Sequence, residues 1–138
     1  MYKSFFILIS LFFLDFSLFA QTVKIDSTPY LKFYKEYDAV YNVDREKGIE
    51  IANEIEKIAV KNKSTFFIAD ALVKKAVLYY FDSNIDKSKF FALKAIIAAN
   101  ESDNKKVLLK SYNLMGAIYY NLADFKNSEL YYLKKITV

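Results

Sequence analysis

Residues Tyr112–Ile136, YNLMGAIYYNLADFKNSELYYLKKI, decide the reading of the whole chain. Tyr112, Met115, Ile118 and Tyr119 recur at helical spacing and fall on one face. Gly116 stands mid-helix, where glycine costs about 1 kcal/mol relative to alanine. Its place there implies that another helix passes too close for a Cβ. Leu122-Ala123-Asp124 then reads as a turn, with Asp124 as the N-cap of a second helix. Phe125, Ser128, Tyr132, Leu133 and Ile136 give that helix its stripe, and the small Ser128 again admits a close neighbour. Two short amphipathic helices joined by a tight turn make a helical hairpin.

The same pattern stands 40 residues earlier. Leu72–Ile96, LVKKAVLYYFDSNIDKSKFFALKAI, aligns with it without a gap. The pairs Tyr79/Tyr119, Tyr80/Tyr120, Ser88/Ser128, Leu93/Leu133, Lys94/Lys134 and Ile96/Ile136 are identical. Ala76 matches Gly116, small for small, and Asn84 matches Asp124, cap for cap. A further shift sets Gly48 against Ser88, Asp44 against Asn84 and Ala52 against Ala92. A fixed period of this length predicts a solenoid of helix pairs.

These residues resemble the tetratricopeptide repeat. That family has a large residue, Leu-Gly and Tyr in its first helix, then Ala, an aromatic and Ala in its second. Here those positions fall on Tyr112, Met115-Gly116, Tyr119, Ser128, Tyr132 and Lys135. In the preceding copy they fall on Leu72, Lys75-Ala76, Tyr79, Ser88, Ala92 and Ala95. Lys135 in place of a small residue implies that no further repeat covers this last face. The usual proline near the repeat end is absent. The period is 40 where 34 is usual, so the extra residues are expected in helix ends or in loops around Asn100 to Lys106. Longer repeats of this kind look similar to those of bacterial signalling proteins.

The expected architecture is all-α: about three antiparallel helix hairpins stacked in a right-handed superhelix. Thr28-Pro29 reads as a cap and first helical residue, opening a helix to about Tyr41. Further helices are expected from Asp44 to Lys61, Ser64 to Phe81, Asn84 to about Ala99, about Asp103 to Asn121, and Phe125 to the end. Ser64 is expected to cap the third. The repeats thus span about 29–62, 64–99 and 103–138.

Residues 1–20, MYKSFFILISLFFLDFSLFA, read as a signal peptide, with Lys3 as basic n-region, Phe5–Leu14 as apolar run and Ala20 at the cleavage point. A retained anchor is the alternative. It needs about 20 apolar residues, and Asp15 interrupts the run. Residues 21–28 read as a tether and 29–138 as the repeat domain. The mature chain is expected in the periplasm or cell envelope, with no stable membrane span after cleavage.

Composition excludes much chemistry. Cysteine and histidine are absent, so no disulfide, thiolate nucleophile, Cys/His zinc site or Ser-His-Asp triad is available. The two glycines, Gly48 and Gly116, form no phosphate loop. Glu50 and Glu54 lie one turn apart, as a cation site or an acid–base pair would need, but with Glu56 they read as an exposed helix face, with Glu54 and Lys57 or Lys61 as ordinary ion pairs. No catalytic residue, metal or cofactor is expected. The net charge of +4 comes almost wholly from lysines spread among nearly as many acids, with Arg45 the single arginine. That is a solvated surface, and no nucleic-acid partner is expected.

The fold supplies the remaining candidate. In families that stack such hairpins, the first helices line a concave groove for peptides or partner helices. Transferred by alignment, that groove offers Phe33, Tyr34, Tyr37 and Tyr41, then Lys74, Val77, Tyr80 and Phe81, then Lys110, Asn113, Ala117 and Tyr120. One subtype clamps a terminal carboxylate. Lys110 matches its pattern, but Phe33, Tyr37, Lys74 and Leu114 do not, so clamping is not expected. The expected function is a non-catalytic scaffold for a protein or peptide partner, with self-association through the uncapped last repeat a further expectation. The alternative is a truncated sensory segment of a signal-transduction protein.

Overall fold

The computed structural model describes residues 25–138; the expected signal segment, 1–20, and the start of the tether lie outside them. A short 3-10 turn, Thr28–Tyr30, leads into six α-helices: α1 (Leu31–Val40), α2 (Arg45–Lys61), α3 (Thr65–Phe81), α4 (Ile85–Glu101), α5 (Lys105–Asn121) and α6 (Phe125–Ile136). No strand occurs among the described residues.

The 40-residue period has a finer origin than a repeated hairpin. Helices α2 to α5 are each 17 residues long. Each hands over to the next through three residues, so the unit recurs every half period. In each of these four turns the middle residue is left-handed: Lys63 (φ 53°), Ser83 (φ 59°), Asp103 (φ 50°) and Ala123 (φ 56°). The residue after it returns its N–H to the carbonyl five residues back, as Ser64 does to Ala59, Asn84 to Tyr79, Asn104 to Ala99 and Asp124 to Tyr119. This Schellman closure satisfies carbonyls that a helix end leaves orphaned. That last residue is at once the N-cap of the next helix. Asn84, Asn104 and Asp124 accept from the N–H three residues on, as Asp44 does at the start of α2.

One pair of alternatives is decided for helix ends, and two expectations are corrected. Asn100 to Lys106 is not an enlarged loop: α4 continues to Glu101 and α5 begins at Lys105, so the extra length of the period is helix. Ser64 occupies the cap position of α3, but its side chain makes no capping bond. Its backbone carbonyl accepts from Phe67 and Ile68 instead. Thr28 does not cap the first helix either. Its N–H donates to Asp26 Oδ1 at 2.9 Å, and the chain turns once in 3-10 geometry before α1.

Each helix packs on the next in sequence, and α3 also touches α5. A three-residue connection between packed helices makes each pair antiparallel. The arrangement is compatible with an α-solenoid. Tyr30, Ile55, Leu78, Met115 and Ile118 are fully buried, and each such side chain contributes about 1.5–3 kcal/mol. Between α3 and α4, and again between α5 and α6, a buried serine bonds across the hairpin. Ser88 Oγ donates to the Ala76 carbonyl at 2.8 Å, and Ser128 Oγ to the Gly116 carbonyl at 2.9 Å. The small partner residue lets the helices approach this far. A Cβ at Gly116 would lie 2.6 Å from the Tyr132 ring. Lys135, at the position where Ala95 is buried in α4, is exposed and donates to Asn113 at 3.0 Å.

One serine breaks the pattern. Ser111 Oγ is fully buried and has no hydrogen-bond partner, and its counterpart one period back is Ala71. Urea denaturation separates the three serines. Ser88→Ala and Ser128→Ala each lose about 1 kcal/mol, whereas Ser111→Ala is neutral or gains up to about 1 kcal/mol. Ala123→Gly gains about 1 kcal/mol by relieving the left-handed strain.

Candidate functional site

A cleft of about 480 Å³ opens where α1, α3 and α5 meet. From α1 it takes Tyr37, Asp38 and the adjoining Tyr41. From α3 come Val73, Lys74, Val77, Tyr80 and Phe81, and from α5 Lys110, Asn113, Leu114 and Ala117. The spacing on α3 and α5 is one helix face, and the shared period points both faces the same way. The walls are mostly apolar and aromatic, with polar groups at the edges, as ligand pockets generally are.

The aromatic wall is fixed by its hydroxyls. Tyr37 stacks on Tyr41 with ring centroids 5.7 Å apart, and its hydroxyl points to the Lys74 carbonyl at 3.4 Å. The Tyr80 hydroxyl accepts from Asn121 Nδ2 at 2.9 Å, which ties α3 to the end of α5. Lys74 is held between these walls. Its ammonium lies 4.5 Å from the Tyr37 ring centroid, 4.9 Å from that of Tyr34, and 3.5 Å from Asp70 Oδ2 one turn earlier on α3. The charge is thus balanced by a carboxylate and two ring faces.

A second basin of about 400 Å³ adjoins the cleft and shares Asp38, Lys74 and Lys110 with it. Tyr34, Phe66, Phe67, Asp70, Asn104 and Lys106 complete its lining. Burial, then the Asp70 charge, push the Tyr34 phenol far above its ordinary value of 10.0, and the same causes raise Tyr37. In the folded chain both phenols therefore ionise above the range of an ordinary tyrosine. Lys110 titrates below its ordinary value, first because it is partly withdrawn from water and then because Lys74 repels it.

Of the residues expected to form a groove, Tyr37, Tyr41, Lys74, Val77, Tyr80, Phe81, Lys110, Asn113 and Ala117 come together in the cleft. Phe33, Tyr34 and Tyr120 stand outside it. Phe33 points toward α2, beside Glu36, Lys47 and Glu50. Tyr34 lines the neighbouring basin. Tyr120 is 61% exposed and meets Phe125 edge to face at the turn into α6, whereas its counterpart Tyr80 is tied to α5 through Asn121. Asp38, Asp70, Val73 and Leu114 were missed. For three of them a signal existed: Asp70, Val73 and Leu114 lie one period from Lys110, Asn113 and Lys74.

The carboxylates of α2 do not converge. Glu50 pairs with Lys47 at 2.7 Å, Glu54 with Lys57 at 3.6 Å, and Glu56 with the buried Lys75 of α3. Among the described residues no cluster of acidic side chains could hold a metal ion. No helix among them is long and apolar enough to cross a membrane.

No known protein family matches the chain, and no curated protein or solved structure is similar to it.

The raised phenols carry a pH dependence. A folded-state value above the unfolded one means that stability is complete below about pH 10 and falls as pH rises beyond it. Denaturation midpoints should drop across that window, with tyrosinate absorbance from these two residues appearing only on unfolding. Tyr34→Phe/Tyr37→Phe should show a shallower alkaline loss than the wild type.

Proposed function

We propose that the chain is a tetratricopeptide-like interaction module that acts without catalysis, exported to the cell envelope, and that it seats a segment of a partner protein in the cleft between α1, α3 and α5. The observation that carries this reading is the convergence of one face from each of three helices on a single open, largely aromatic cleft. An apolar segment gains by burying its side chains against Tyr37, Tyr41, Val77 and Phe81. Large flat aromatic anchors give much contact area at little entropic cost. Asp38, Lys74 and Lys110 stand together where the cleft meets the second basin, so such a segment has a charged end and an apolar end. Preorganisation supports the same reading. The tyrosines are already fixed by hydroxyl bonds and stacking, so binding does not have to order them.

The signal-like segment at 1–20 and the tetratricopeptide-like spacing support export and family likeness. The absence of converging carboxylates near Glu50, and of Cys and His, supports a binding role over a catalytic one.

The test is affinity capture from envelope extract with three variants of the chain from Gln21 onward. Ala117→Arg fills the cleft from α5 at a half-buried position, and Tyr80→Ala removes one aromatic wall. Tyr120→Ala alters a tyrosine outside the cleft. A genuine cleft ligand is captured by the wild type and by Tyr120→Ala, and weakened at least about tenfold by each of the other two. Equal capture by all of them, with helicity unchanged, overturns the reading.

A further inference from the structure

The outer helices carry a second surface, independent of the cleft. On α4, Phe90, Leu93 and Ile97 are 51%, 39% and 60% exposed, and they lie on one helix face. One period on, α6 presents Leu130 and Leu133, 46% and 53% exposed, at the register of Phe90 and Leu93. The corresponding residues of α2 are Glu50, Asn53 and Lys57, all exposed and polar. The same structural position is therefore polar in the first outer helix and apolar in the next two. Nothing in the core requires this, since none of these side chains is buried.

Charge follows the same division. Helix α2 balances four cations against four carboxylates. Helices α4 and α6 together carry six lysines, among them Lys94 and Lys134, against Asp86, Glu101 and Glu129. Lys94 and Lys134 are again one period apart and border the apolar stripe. The Lys94 ammonium rests 4.4 Å from the Phe90 ring centroid, so its stem lies along the apolar surface while its charge remains at the edge.

We propose that this face of α4 and α6 lies on an anionic lipid surface, with the apolar side chains in the acyl boundary and the lysines among the headgroups. An exposed apolar stripe bordered by lysines is the pattern of interfacial helices. Three observations favour this occupant. All six cations are lysines, hydrated point charges that suit a smeared surface charge better than a fixed carboxylate. The stripe stands on helix faces turned away from the cleft, and Phe90, Leu93, Leu130 and Leu133 line none of the pockets described above. Lys94 and Lys134 recur one period apart along the stripe, so an extended anionic surface meets both charges at once.

The sequence contains no tryptophan, which makes the test site-specific. Three full-length variants, Phe90→Trp, Leu133→Trp and Asn53→Trp, each place one fluorophore on an outer helix. They are mixed with phosphatidylcholine vesicles, with or without phosphatidylglycerol and brominated acyl chains. The proposal expects blue-shifted, bromine-quenched emission for Phe90→Trp and Leu133→Trp on anionic vesicles only, and unchanged emission for Asn53→Trp. Because the readout is local, binding through residues 1–20 cannot mimic it. Adding Lys94→Gln and Lys134→Gln to Phe90→Trp should weaken partitioning roughly thirtyfold. Any of three results overturns the proposal: no shift at positions 90 and 133, an equal shift on neutral vesicles, or a shift without vesicles that grows with protein concentration. The last would assign the face to a second copy. None of these substitutions touches the cleft, so either reading can fail without the other.

Discussion

The structure depends on a turn of three residues with one of them left-handed. Four times the chain leaves a helix, places Lys63, Ser83, Asp103 or Ala123 at positive φ, and starts the next helix on the following residue. So short a connection leaves the second helix nowhere to go but back along the first. It also fixes which residues meet. Ala76 and Ser88, and likewise Gly116 and Ser128, sit close to their turns on opposite arms, and each serine reaches its carbonyl at under 3 Å. None of the four left-handed residues is glycine. The strain of about 1–2 kcal/mol at each is offset by the carbonyls that the Schellman bonds satisfy and by the packing that the reversal brings about.

Much of this was legible because it is periodic. Aligning Tyr112–Ile136 with Leu72–Ile96 places the small residues, the caps and the turns, and those features rest on local chemistry. What the alignment could not supply was the side chain that a position actually uses. Ser64 stands where Asn84 and Asp124 cap, yet its hydroxyl is idle and the backbone alone closes the turn. Asn104, within the stretch Asn100 to Lys106 where a loop is one expectation, is 3% exposed. It both caps α5 and donates to the Phe66 carbonyl at 3.2 Å. Polarity looked like exposure there, but it is a buried bond between hairpins.

The cleft was legible to the same degree and for the same reason. Its α3 and α5 walls follow the period, so Val77 and Ala117, or Lys74 and Leu114, are geometrical equivalents with different chemistry. Transferring each position across every repeat recovers Asp70, Val73 and Leu114. It fails at the two ends. Helix α1 is ten residues long and enters through a 3-10 turn, so Phe33 and Tyr34 face other neighbours. Tyr120 meets Phe125 at the turn into α6 and stays 61% exposed. The repeat rule describes positions with an equivalent helix on both sides, and Phe33, Tyr34 and Tyr120 are set by their own local neighbours.

The inner elements supply partners for tyrosine hydroxyls that they carry. Tyr30, Tyr37 and Tyr80 stand on the inner elements, where their hydroxyls meet Asn62, the Lys74 carbonyl and Asn121. A buried phenol needs such a partner, and helices that cross at short intervals supply carbonyls and amides to serve as one. On the outer faces of α4 and α6 no helix passes among the described residues, and exposed positions there hold Phe90, Leu93, Ile97, Leu130 and Leu133, which ask for no hydrogen bond. A face selected only for contact with water would resemble α2, with Glu50, Asn53 and Lys57 at those same positions. One period therefore carries two chemistries. The inner face is specified by directional bonds, and the outer face by apolar area and lysine charge, which constrain orientation far less.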